Sequence, residues 1–176
     1  MEFTINKSIA VLEKTPWVIE KLLSNLPDDW IILNEGGETW SPYDIVGHLV
    51  HGERSDWIQR LEIILSKSGD KKFTPFDRFA QFNESKGKTI INLLDDFKVL
   101  RTENIITLKS KKISEEFFSL TGIHPVFGIV TLQNLIATWV VHDLDHIAQL
   151  SRVIGYQYKE NVGPWKEYLR ILKDTK

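Results

Sequence analysis

Residues 131–153 read TLQNLIATWVVHDLDHIAQLSRV. Leu135, Trp139, His142, His146, Leu150 and Val153 recur in this stretch at spacings of three and four. That period places them on one face of an α-helix and points the face into a core. Thr131 stands where a helix N-cap belongs, and Gly155 is the expected stop after Ile154. His142 and His146 form H-x-x-x-H inside the buried face. Four residues of helix advance about 40° around the axis and about 6 Å along it, so both imidazoles look the same way.

Working outward, the rest of the chain has the same period. Ile5 to Leu26 reads as helix, interrupted at Thr15-Pro16, where a kink or a fresh start is expected. Ser41-Pro42 opens a second helix to about Lys67, with Ser41 as N-cap and Asp44 in the first turn. Lys86 to Leu108 is a third, facing inward through Ile90, Leu93, Leu94, Phe97, Leu100, Ile105 and Leu108. Residues 131–154 are the fourth, and Pro164 to Leu172 a short tail helix. Strand signals are weak. Residues 27–39, 68–85 and 110–130 are connections, and connections as long as the last two tend to be functional or partly structured. The pattern predicts an all-α fold: a four-helix bundle with long crossover connections and a short C-terminal helix, as a single domain over residues 1–176.

Composition narrows the function. The 176 residues are 42% hydrophobic and 26% charged, within the range of a folded globular chain. A net charge of -2, without a basic cluster, argues against a nucleic-acid binder. No residue is cysteine, which excludes disulfides, zinc ribbons and a cysteine nucleophile. No signal peptide or membrane-length apolar run is visible, so a cytoplasmic location without membrane insertion is expected. There is no Gly-rich phosphate loop and no G-x-S-x-G elbow.

Chemistry therefore concentrates on the histidines. Val46, Val50, Trp57, Leu61 and Ile64 form the apolar stripe of the second helix. His48 lies on another line with Ser41, Asp44, Gly52 and Ser55, a small and polar lining suited to a cavity. His48, His142 and His146 together make a three-histidine set, the ligand count of a catalytic metal site with one open position. Imidazole ligands without thiolate are compatible with zinc, nickel, iron or manganese. Asp143 follows the first histidine of the pair where a zinc protease would carry glutamate, so that reading fails. His51 is an alternative ligand or a solvated rim residue. Asp44 is read as a helix cap. Asp143 and Asp145 either orient an imidazole or are surface charges. His124 is a lid residue or an ordinary turn residue. Trp40 and Trp139 either wall a pocket or fill the core. Lys71-Lys72 and Lys109 to Lys112 read as solvated loops.

Three blocks carry a family resemblance: ETWSPYDIVGHLVHGERSDWIQR (38–60), HPVFGIVTLQNLIATWVVHDLDHIAQLSRV (124–153) and VGPWKEYL (162–169). They resemble the DinB-like superfamily of damage-inducible and YfiT-like four-helix proteins. The resemblance implies an up-down-down-up bundle, a homodimer, and a divalent metal on one histidine of the second helix and two of the fourth. Those positions are His48, His142 and His146. Zinc or nickel is the first expectation for the metal, iron or manganese the next. The implied activities on a small-molecule substrate are S-transfer from a low-molecular-weight thiol, which this cysteine-free chain would take from outside, or hydrolysis by activated water. The alternative is a non-catalytic metal-stabilised binding or stress-response module.

Overall fold

The computed structural model describes residues 1–67 and 69–173. Its elements in order are α1 (Ile5–Leu12), α2 (Thr15–Leu23), α3 (Asp28–Ile32), α4 (Pro42–Ser55), α5 (Trp57–Leu65), α6 (Ala80–Glu84), α7 (Ile90–Ser110), β1 (Thr121–His124), β2 (Gly128–Thr131) and α8 (Leu132–Tyr156). Two runs of 3-10 turn, Gly163–Tyr168 and Arg170–Leu172, follow. The bundle has four arms: α1 with α2, α4 with α5, α7, and α8. Its helix starts are chemically explicit. Ser41 with Asp44, Thr89 with Asn92 and Thr131 with Asn134 each form a reciprocal capping box.

Several boundaries differ from the sequence reading. The second helix breaks at Asp56, where φ is -122° and ψ is -69°. Ser55 Oγ donates back to the His51 carbonyl at 2.7 Å, a local bond that competes with the helical ladder. Helix α8 runs through Gly155 to Tyr156, because Gly155 stays helical with its bare side toward Ile171 and Leu172. The expected tail helix is 3-10 turn rather than α.

The connections are structured. Residues 121–131 form an antiparallel hairpin pairing Thr121 with Thr131 and His124 with Gly128. The preceding connection lies beside it, with Phe73 N–H donating to the Ile123 carbonyl at 2.9 Å and Ile123 N–H to the Lys71 carbonyl at 2.8 Å. Gly122 permits this approach, since a Cβ there would stand 2.4 Å from the Phe73 ring. Lys71 is not solvated as expected: its ammonium caps the end of α5 through the carbonyls of Ile63, Ile64 and Ser66.

The apolar core falls into two halves. One gathers Ile9, Leu12, Leu61, Ile105, Leu108 and Ile136; the other gathers Ile19, Leu23, Val46, Leu93, Phe97 and Leu150. Between them, midway along each long helix, lies a charged waist. The Arg101 guanidinium (2% exposed) meets Asp143 at 2.6 and 3.0 Å, Glu53 at 2.8 Å and the Leu12 carbonyl at 2.9 Å. Glu53 also accepts from Trp139 Nε1 at 2.9 Å and Asn104 Nδ2 at 3.0 Å. Burial opposes the guanidinium charge, but the two carboxylates more than offset it and raise the Arg101 pKa.

Removing one member of such a buried group leaves charge uncompensated. Arg101→Ala is expected to cost about 3–5 kcal/mol, read as a lower urea midpoint. A midpoint within error of the parent would show that the waist is not structural.

Candidate metal centre

The capping box sets the start of α4, and His48, two turns further on, faces His142 of α8. On α8, Asp143 is locked to Arg101, and its neighbour His142 is carried toward α4. Three imidazoles meet there. His48 Nε2 lies 3.2 Å and His146 Nε2 3.1 Å from His142 Nε2. Among the described residues these three form the cluster that could hold a metal, with all ligand atoms within 4.8 Å of one another.

Electrostatics makes the three rings neutral donors. Burial, then the neighbouring His146, His51 and Arg78 charges, lower the His48 pKa to about 3. Burial, then His146, His48 and Arg101, lower that of His142 to about 2. Burial lowers His146 as well, against the opposing pull of Gln149, Asp145 and Asp143. His146 Nδ1 and Gln149 Oε1 are 2.7 Å apart. With Nδ1–H donating to that oxygen, Nε2 is left with its lone pair. The Nδ1 atoms of His48 and His142 are buried and meet no partner among the described residues.

A tetrahedral ion bound at roughly 2.0–2.1 Å sets its ligand nitrogens about 3.3–3.4 Å apart. The observed separations of 3.1 and 3.2 Å are close to that. Burial disfavours a second, charging proton on any of these rings, and no partner among the described residues holds a proton on Nδ1 of His48 or His142, so a cation shared by the three Nε2 atoms would satisfy a cluster that otherwise has only ring protons to share. The donor set fits a divalent ion.

The other sequence candidates separate cleanly. His51 is not solvated; it is buried, 3.0 Å from Glu84 Oε1 and 3.3 Å from Ser55 Oγ, outside the cluster. Asp44 accepts from Ser41 N–H at 2.9 Å and Ser41 Oγ at 2.6 Å, so its role is in capping, as the third-position partner of Ser41. Asp143 orients no imidazole and is no surface charge, being wholly buried against Arg101, whereas Asp145 is exposed. His124 is a turn residue that also lines the cavity. Its Nδ1 accepts from the turn amides of Val126 and Phe127 at 3.1 and 3.2 Å, and its ring lines the cavity over the histidines. Trp40 walls that cavity, 4.9 Å from the His48 ring. Trp139 is core, stacked on Trp57 at 5.6 Å.

The cavity, about 460 Å³, is mainly apolar and has the three histidines in its lining. Sequence reasoning missed several of its walls. Trp57 read only as core, yet its ring stands 5.1 Å from that of His142. Asp56 and Arg60 form an ion pair, Oδ1 to Nε at 2.6 Å, whose i,i+4 spacing was a readable signal. Burial, only partly opposed by Arg60 and His51, pushes the Asp56 pKa up to about 6. Phe76 and Arg78 come from the long connection, where no periodicity points to them.

A helical bundle that gathers three neutral imidazoles under an aromatic cavity belongs to the class of histidine-centred bundles suited to one divalent ion. The family model of the DinB superfamily matches residues 12–150, most of the chain, and the protein belongs to that superfamily. Among solved structures it is similar to YfiT from Bacillus subtilis, described as a probable metal-dependent hydrolase with an unusual four-helix bundle topology. The two share 20% identity with a TM-score of 0.73, over 92% of this chain and 91% of that one. That likeness shows the fold. A search among curated proteins finds no match. Among the described residues, no helix is long and apolar enough to cross a membrane.

The lowered pKa values make metal-free stability depend on pH. In the unfolded chain these histidines take up protons near 6.5; in the folded one His48 waits until about 3 and His142 until about 2. Their contribution is complete above 6.5 and is lost as pH falls, down to about 3 for His48 and about 2 for His142. The unfolding midpoint of metal-stripped protein should drop across that window, and the His48→Ala/His142→Ala variant should flatten the slope. An unchanged slope in the variant would contradict this account.

Proposed function

We propose that His48, His142 and His146 hold one divalent ion through Nε2, and that the protein is a metal-dependent hydrolase of a small organic substrate. The observation that carries this reading is the convergence of three imidazole nitrogens, 3.1 and 3.2 Å apart, in the lining of an apolar cavity. Zinc or nickel is the preferred ion, and iron or manganese also suits imidazole ligands. An ion held there would supply Lewis-acid chemistry, lowering the pKa of a water or thiol and polarising an electrophile.

The chain's own residues supply the rest. Gln149 holds His146 in the tautomer that frees Nε2. Trp40 and Trp57 pack against the His48 and His142 rings and exclude water, which strengthens every charge interaction inside. Asp56, in the cavity lining and poised at about 6, accepts the proton that the attacking nucleophile gives up, while Arg60 holds its carboxylate in place.

An exogenous low-molecular-weight thiol is the second nucleophile of the same chemistry, because the cysteine-free chain brings no thiolate of its own. Transfer to an electrophile is then the activity. A single domain, a homodimer and a cytoplasmic setting complete the reading; they rest on the family resemblance and the sequence composition.

Elemental analysis tests the centre. The parent should bind one divalent ion per chain, the alanine variants of His48, His142 and His146 should each lose most of it, and His51→Ala should keep it. Stoichiometric metal in His142→Ala would break the proposed site. Activity is tested with 4-nitrophenyl esters, and with a thiol plus an epoxide, on metal-loaded and metal-stripped protein. Equal rates in the two forms would remove the catalytic ion. A rate seen only with thiol would replace hydrolysis by transfer, and no rate at all would leave a metal-stabilised binding module.

Asp56→Asn should cut the metal-dependent rate by about a hundredfold with the ion retained, and should abolish the fall in rate below about pH 6. A variant with the parent's rate and pH profile would exclude Asp56 as proton acceptor.

A further inference from the structure

The charges lining the cavity are unbalanced. Besides the histidines it carries Asp56, Arg60 and Arg78. Asp56 neutralises Arg60 at 2.6 Å. Arg78 has no carboxylate within ion-pair distance among the described residues. Its guanidinium lies instead over two aromatic faces, 6.0 Å from the Trp40 ring centre and 5.2 Å from that of Phe79. Trp40 in turn packs 4.9 Å from the His48 ring. Arg78 is thus held at the mouth of the site by stacking and leaves its donors uncommitted. The excess is local, since the whole chain carries a net charge of -2.

The walls call for the other half of a ligand. Trp40, Trp57, Phe73, Phe76 and Phe127 line the cavity together with Arg78 and the histidines. Such a surface takes an aryl or branched alkyl body. A planar guanidinium fork at the rim matches a carboxylate, which it grips through two parallel hydrogen bonds.

We propose that the site selects small amphipathic carboxylates, with the apolar body in the aromatic cavity and the carboxylate on Arg78. The proposal rests on the hydrolase reading for the reactive end, which would lie toward the three histidines. Arg78 is then a specificity-determining residue, because an uncharged analogue of the same shape would leave its donors unmet and a cationic one would be repelled.

Binding to metal-stripped protein tests this without reliance on the ion, so a failed metal assignment and a failed carboxylate site give different results. Tryptophan fluorescence is titrated at low salt with 2-naphthoate, 2-naphthalenemethanol and 2-naphthylmethylammonium. The carboxylate should bind roughly five- to tenfold more tightly than the alcohol, the ammonium more weakly than either, and added salt should shrink the difference. Arg78→Gln should bring naphthoate to the level of the alcohol, and Arg78→Lys should restore part of the preference. Equal affinities for the three probes, a preference for naphthoate that survives in Arg78→Gln, or no binding of any probe would each overturn the proposal.

Discussion

One buried guanidinium organises this bundle. Arg101 stands midway along α7 and bonds to α8 through Asp143, to α4 through Glu53 and to the end of α1 through the Leu12 carbonyl. Four arms are thereby held at one level, between two apolar halves that on their own are less particular about register. Hydrophobic burial is non-directional and tolerates sliding, whereas a forked cation between two carboxylates does not. Three ionised groups out of water are costly, and the cost is met only when every partner is in place. The waist therefore specifies how the helices stand relative to one another.

The histidine cluster follows from that. His142 is the residue before Asp143, so the bond that anchors α8 to α7 also fixes the stretch of backbone from which that imidazole projects. Across from it, the same helix that carries Glu53 carries His48 five residues earlier. The two features share the middle of the bundle, where the apolar halves are interrupted and polar groups have room. Burial keeps the imidazoles neutral and their lone pairs available, while the wholly buried Arg101 nearby adds to the pressure against protonating His142. The centre is prepared electrostatically by the same desolvation that makes it expensive.

The cavity has a different origin. One side is bundle, through Trp57 and the histidines; the other is assembled from connections. The hairpin β1–β2 brings His124 and Phe127, and the segment paired beside it brings Phe73, Phe76 and Arg78. Gly122 makes the pairing feasible by leaving space for Phe73. The rigid centre thus sits on long helices, and the walls that choose what enters it sit on the segments most free to vary.

The division between sequence and tertiary structure follows these same lines. Helical period alone located the four arms and the inward face of α8, because burial on one side of a helix imposes a spacing of three and four that any reader of the chain can see. Capping chemistry at Ser41 and Thr131 was legible for a similar reason: both partners lie within one turn. Two histidines four residues apart on a buried face were readable as a pair, and His48 as a polar intruder on its helix. What the sequence left open was everything that joins distant segments. Arg101 belongs to no motif, and Asp143 suits a surface charge or an imidazole partner equally by its spacing; folding puts the two 2.6 Å apart. His51 and His48 are three residues apart and differ only in which neighbour folding brings, Glu84 for one and His142 for the other. The break at Asp56, the hairpin and the aromatic mouth with Arg78 had no periodic signature, since loop contacts obey no repeat. Local spacing determined which residues could face inward; long-range packing decided which of them meet, because the energy of a buried charge or imidazole depends on partners dozens of residues away.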